Sequence, residues 1–142
     1  LTLERAPPAS TDLLVVDAFS SDSIPMHLLT LEAFETYRRK LSAEGLLLVH
    51  ISNRHLDLKP VVAAAARAGW TARLRHYVPT VEDRDGNQHT SSMWVAMSPS
   101  AATITRLEAA NPGAWQPLEG RSGFRPWTDD YASVLPILRN LQ

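Results

Sequence analysis

Two apolar runs constrain this chain more than any other feature. Leu13–Val16 (LLVV) stops at a carboxylate, Asp17, and Leu46–Ile51 (LLLVHI) stops at a polar loop. Neither run alternates with polar residues, so each reads as a strand buried on both faces, the pattern of parallel sheets. Between them, Leu31, Phe34, Tyr37 and Leu41 recur at helical spacing. Thr30 is a fitting N-cap, Glu32 puts a negative charge in the first turn, and Arg38, Arg39 and Lys40 gather at the other end. Gly45 is expected to stop this helix. Strand, helix and strand in that order make a βαβ unit, which is right-handed and parallel in nearly all cases.

The rest of the chain departs from that pattern. A helix is expected from about Leu58 to Ala68, with Pro60 in its first turn and Gly69 after its end. From Trp70 the period changes to two. Ala72, Leu74, His76 and Val78 share one face, and Thr71, Arg73, Arg75 and Tyr77 the other. That second face reads as solvated, or as a surface for an anion or a partner chain. Ser91–Met97 is a further strand, and Glu82–His89, carrying Asp85-Gly86-Asn87, is the turn of an antiparallel hairpin. Ser100 caps a helix over Ala101–Ala110, ended by Asn111-Pro112-Gly113. Thr128 or Asp129 is expected to cap a final helix through Tyr131, Val134, Leu135, Leu138 and Leu141, kinked or shortened at Pro136.

Composition narrows the classes of function. At 142 residues and 44% apolar the chain fits one domain with a real core. A net charge of -1 without a Lys/Arg-rich run gives no reason to expect nucleic acid. No apolar stretch has the length of a membrane span, so no membrane insertion by this segment is expected. Cysteine is absent, which excludes disulfides, thiolate metal sites and thiol nucleophiles, and fits a cytoplasmic setting. Five histidines without tight spacing do not predict a metal site.

In open α/β sheets ligands sit beyond the carboxyl ends of strands. Asp17 stands at such an end and is the residue most expected to do chemistry. Asp22, in the same loop, reads equally as a second catalytic carboxylate or as a solvated turn residue. His27 precedes a helix and Asn53 lies in a turn; each has a local hydrogen-bonding role as its commoner explanation and substrate contact as its alternative. His55 and Asp57 follow the second strand and face the same edge. His50 lies inside a run expected to be buried and reads as a satisfied core histidine.

The segments DAFSSD, IPMHLLT, GLLLVHISNRHLDL and WTDDY together resemble the spermidine synthase-like proteins, above all those whose domain is fused behind a membrane transporter-like segment. The resemblance implies an α/β fold, the C-terminal half of a methyltransferase-like Rossmann fold: β-α-β-α, then an antiparallel hairpin and terminal helices. It implies an adenosyl-sulfonium cofactor, decarboxylated S-adenosylmethionine or S-adenosylmethionine, held by a Gly-rich loop. The six glycines of this chain form no such loop, so the cofactor-binding residues are expected upstream of Leu1. With a leucine in first place and helix-forming residues over Leu1–Ala6, the 142 residues are expected to be a truncated single domain that binds no cofactor alone.

The family places a second aspartate three residues after the strand-end one. Here that position is Ser20, and the next carboxylate is Asp22. The expectation is therefore polyamine aminopropyl transfer with Asp17 and Asp22 as catalytic residues, His27, Asn53, His55 and Asp57 at the substrate, and a small-molecule amine as acceptor. A non-catalytic assembly or regulatory domain of a membrane-associated protein is the alternative, and a small-molecule methyltransferase the third reading. A half-Rossmann sheet leaves its first strand unpaired on one side, so a homodimer is expected. The setting expected is a cytoplasmic soluble domain, tethered to a membrane segment where the parent protein carries one.

Overall fold

A computed structural model describes residues 2–17, 25–81 and 91–139. Asp22, the hairpin tip over 82–90 and Leu141 lie outside the described residues.

The chain opens with a single helical turn, α1 (Thr2–Arg5). One turn cannot hold itself. Its end is held by Lys40, whose Nζ donates to the carbonyls of Glu4 at 3.0 Å and Ala6 at 2.5 Å. Then come β1 (Thr11–Val16), α2 (Leu31–Lys40) and β2 (Leu41–His50), and β1 pairs with β2 in parallel from Leu13↔Leu46 to Val16↔Val49. After α3 (Lys59–Ala66), β3 (Thr71–Tyr77) and β4 (Ser92–Ser98) form the antiparallel hairpin. Beyond it lie α4 (Ala101–Ala110) and the short β5 (Gln116–Pro117). The sheet order is β1-β2-β4-β3-β5, with only the β1–β2 pair parallel. The fold class is α/β, with a five-stranded mixed sheet.

Cross-strand partners share a face, and the rows are easily followed. Val16, Val49, Val95 and Leu74 make one buried row across four strands, packed with Phe34 and Tyr37 of α2 and Val61 and Val62 of α3. The opposite face carries Val15, Leu48 and Arg73, and α4 packs on it over β2, β3 and β4. Arg73 is anchored there by Glu108 of α4, Nε to Oε1, at 2.5 Å. The solvated face expected for the hairpin arginines is thus partly roofed.

Three expectations need correction. First, β1 is not buried on both faces: Leu13 is 55% exposed and Val15 48%, because β1 is an edge strand beyond the reach of α4. Second, Gly45 does not end α2. The chain turns extended at Leu41 (φ -73°, ψ 143°), whose buried side chain joins the core, and Gly45 lies within β2. The register jumps there, Thr11 facing Leu41 while Leu13 faces Leu46, and a Cβ on Gly45 would stand 3.0 Å from Leu41 Cδ2. Third, no helix forms over 128–138. Thr128 and Tyr131 exchange backbone hydrogen bonds in a tight turn, and only a 3-10 turn, Leu135–Ile137, follows. Asp129, one of the two residues expected to cap that helix, serves α2 instead. Thr30 Oγ1 accepts from Ala33 N at 3.2 Å, as a cap should, and donates to Asp129 Oδ1 at 2.8 Å.

Tyr37 gives this core a pH signature. Its hydroxyl donates to Leu28 O at 2.8 Å, and burial pushes its pKa from 10.0 up to about 12. The folded state holds this proton more tightly than the unfolded chain does. The contribution to stability is therefore complete below pH 10 and is lost as pH rises through about 12. Alkaline unfolding followed by tyrosinate absorbance should coincide with loss of ellipticity in that window, and Tyr37→Phe should move the transition to higher pH. An unchanged transition would remove Tyr37 from this account.

Candidate functional site

The parallel register assembles the site. Val16 pairs with Val49, so the next residues, Asp17 after β1 and His50 at the end of β2, fall side by side at the carboxyl edge of the sheet. His50 Nδ1 lies 2.8 Å from Asp17 Oδ1. An ionised carboxylate only accepts, so Nδ1 carries the hydrogen. On the other side of the ring, His50 Nε2 lies 2.8 Å from Ser52 Oγ. Residues two apart on an extended chain point the same way, which puts the imidazole and the hydroxyl together.

Two further contacts hold the ring and the hydroxyl. The imidazole stacks on Trp94, its antiparallel partner on β4, with centroids 4.7 Å apart and planes at 20°. Ser52 Oγ accepts the Met93 backbone N–H at 2.7 Å. With that lone pair engaged, the serine hydrogen is available to Nε2 of a neutral imidazole. The chain of groups thus runs Asp17, His50, Ser52. It is partly open to solvent: the side chain of Asp17 is 53% exposed and that of His50 21%.

The same side of the sheet carries a groove of about 480 Å³, lined by Val15, Leu48, Tyr77, Trp94 and Trp115 among others. Trp94 belongs to both: one aromatic ring supports His50 and walls the groove.

The other candidates sit apart from this chain of groups. His27 is exposed on a 3-10 turn (Met26–Leu28) and lines a separate hollow of about 660 Å³ with Tyr37, Thr30 and Asp129. Asn53 supports its turn, Oδ1 accepting from His55 N and Leu56 N at 2.8 Å each. Asp57 Oδ1 accepts from Lys59 N at 3.2 Å at the start of α3, and the residue lines a cleft with Glu119 and Arg121. His55 is exposed, and its carbonyl accepts from Arg139 N at 2.8 Å. Among the described residues no hydrogen bond or ion pair joins His27, Asn53, His55 or Asp57 to Asp17. Asp22 lies outside the described residues.

His50 is a correction of a different kind. It reads from sequence as a core residue, yet it closes the strand on the open side of the sheet, while its neighbours Val49 and Ile51 are buried. A signal was present: each apolar run carries a valine followed by a polar residue, Val16-Asp17 and Val49-His50, and parallel pairing sets the two polar residues abreast. Ser52 carried no such signal. Among the described residues no three His, Asp or Glu side chains converge as metal ligands, and no helix is long and apolar enough to cross a membrane.

No family model matches the chain, and no curated relative matches it. Among solved structures it is similar to a probable spermidine synthase from Corynebacterium glutamicum, with 18% identity over 87% of this chain and 53% of that one, at a TM-score of 0.47. The chain thus spans about half the length of that structure.

Proposed function

We propose that this chain carries the amine-handling side of a spermidine synthase-like transferase, whose adenosyl sulfonium, decarboxylated S-adenosylmethionine in this reading, is held by residues outside these 142. In such a transfer the amine nitrogen attacks the carbon beside the sulfonium, that carbon–sulfur bond breaks, and a thioether leaves. An alkylammonium has no lone pair, so a base must first take its proton. The observation that carries the reading is the Asp17 carboxylate, more than half exposed at the carboxyl edge of a parallel pair and fixed at one oxygen by His50. Its charge attracts an ammonium, and His50 steadies the carboxylate while the proton moves.

Two experiments decide this reading. A calorimetric titration of the 142-residue chain with methylthioadenosine should give no binding heat; micromolar binding would place the adenosyl cradle in this chain. In the longer protein that the reading calls for, putrescine as acceptor should release methylthioadenosine. There Asp17→Asn should slow turnover by ~10²–10⁴-fold, the usual worth of a positioned base. Full activity in that variant would dismiss Asp17 as the base. A methylated product would favour the methyltransferase reading, and no turnover the assembly domain, which the spacing from Asp17 to Asp22 also favours.

A further inference from the structure

The chain of hydrogen bonds does not stop at Asp17 and His50, and what lies beyond them has its own chemistry. An acidic residue on Nδ1, an imidazole, and a hydroxyl on Nε2 are the three roles of a hydrolytic triad, which is recognised by geometry rather than by sequence order or fold. Both links are 2.8 Å. The tautomer is set by Asp17, and the hydroxyl hydrogen is directed at Nε2 because Met93 N–H occupies the other side of the oxygen. Stacking on Trp94 fixes the plane of the ring. These are the conditions under which a serine is activated by an adjacent base.

We infer that Ser52 is a nucleophile toward activated carboxylic esters, with His50 as its base, Asp17 as the residue that orients His50, and the groove beside Trp94 as the seat of an apolar acyl group. Ser52 Oγ bonds to the ester carbonyl carbon as its proton passes to His50 Nε2. The carbon–oxygen bond to the alcohol then breaks, and the alcohol leaves with that proton. Water attacks the acyl-serine, gives its proton to Nε2, and Ser52 departs with the proton returned. The groove, walled by Val15, Leu48 and Trp94, gives the acyl chain an apolar surface and is joined to the site through Trp94, on which His50 stacks. This inference needs no adenosyl compound, so it stands or falls separately from the transfer reading.

The test uses the 142-residue chain with diisopropyl fluorophosphate, which bonds covalently to activated serines. The expected result is one phosphoryl group per chain, located on Ser52 by peptide mass mapping, and lost in Ser52→Ala and in His50→Gln. The p-nitrophenyl esters should be cleaved faster as butyrate than as acetate, with a loss of ~10²-fold in either variant and little further loss in the double one. No adduct on Ser52 in the folded chain, or an adduct indifferent to His50→Gln, would overturn the inference. Should Ser52→Ala fail to fold, Ser52→Cys supplies the reading. Its alkylation by iodoacetamide at neutral pH should be ~10-fold faster than in the His50→Gln/Ser52→Cys double variant; equal rates would overturn the inference as well.

Discussion

Trp127→Ala should cost about 3–5 kcal/mol of stability, the largest loss expected from a single side chain here. The indole is 1% exposed and packs in the core, and its Nε1–H donates to Ser133 O at 3.2 Å. Truncation leaves a cavity and an unpaired, half-buried carbonyl at once. The damage should also travel. The Trp127 carbonyl accepts from Leu31 N at 2.9 Å, and two residues on, Asp129 engages both Thr30 Oγ1 at 2.8 Å and, through its amide, Glu32 Oε2 at 3.0 Å. Three groups at the start of α2 thus depend on one distant segment, and that segment is pinned by the indole. Single domains are stable by only about 5–15 kcal/mol, so this variant should lose a large share of its stability. Denaturant titration followed by circular dichroism measures the loss. Trp127→Phe, which keeps most of the volume and gives up the Ser133 bond, should recover more than half of it. A cost below about 1 kcal/mol for the alanine variant would show that the segment is not anchored this way.

Leu47→Ala and Leu13→Ala should differ by several-fold although both remove the same atoms from a parallel pair of strands. Leu47 is wholly buried in β2, and its loss should cost about 2–5 kcal/mol. Leu13 on β1 is more than half exposed, so the same change should cost under about 1 kcal/mol. Sequence alone gives no reason for the difference, since both residues belong to unbroken apolar runs. The reason is the face each side chain takes: Leu47 points with Val49 into the core under α2 and α3, whereas Leu13 shares with Val15 the opposite face at the edge of the sheet. Paired denaturation curves test it, and equal costs would mean that β1 is covered in solution.

That contrast marks where sequence was informative. Period and capping placed α2, α3, α4 and both hairpin strands, because each rests on local chemistry: Thr30 and Ser100 accept from the amides of Ala33 and Thr103 as their positions suggest. Asp17 was placed at a strand end because an apolar run stops there. What could not be read was anything decided by distant residues. Asp129 resembles a cap for the helix after it and instead completes the helix at Thr30. His50 resembles a core residue because its neighbours are apolar, while its face is set by pairing with β1 and β4. Ser52 gains a role only because β4 brings Met93 and Trp94 alongside.

The C-terminal segment also has a consequence in time. Asp57 N donates to Ile137 O, Arg139 N donates to His55 O, and Leu31 N donates to Trp127 O. One late stretch of chain therefore fastens the loop after β2 and the approach to α2. Contacts across so much sequence form late in folding, because the intervening chain must first lose its freedom. The sheet can condense from β1 to β4 before these bonds exist. The loop at His55–Asp57 and the start of α2 are then the last parts of the molecule to be locked and the first to be released. Amide exchange should find Asp57, Leu31 and Arg139 opening together, well before the strands behind them.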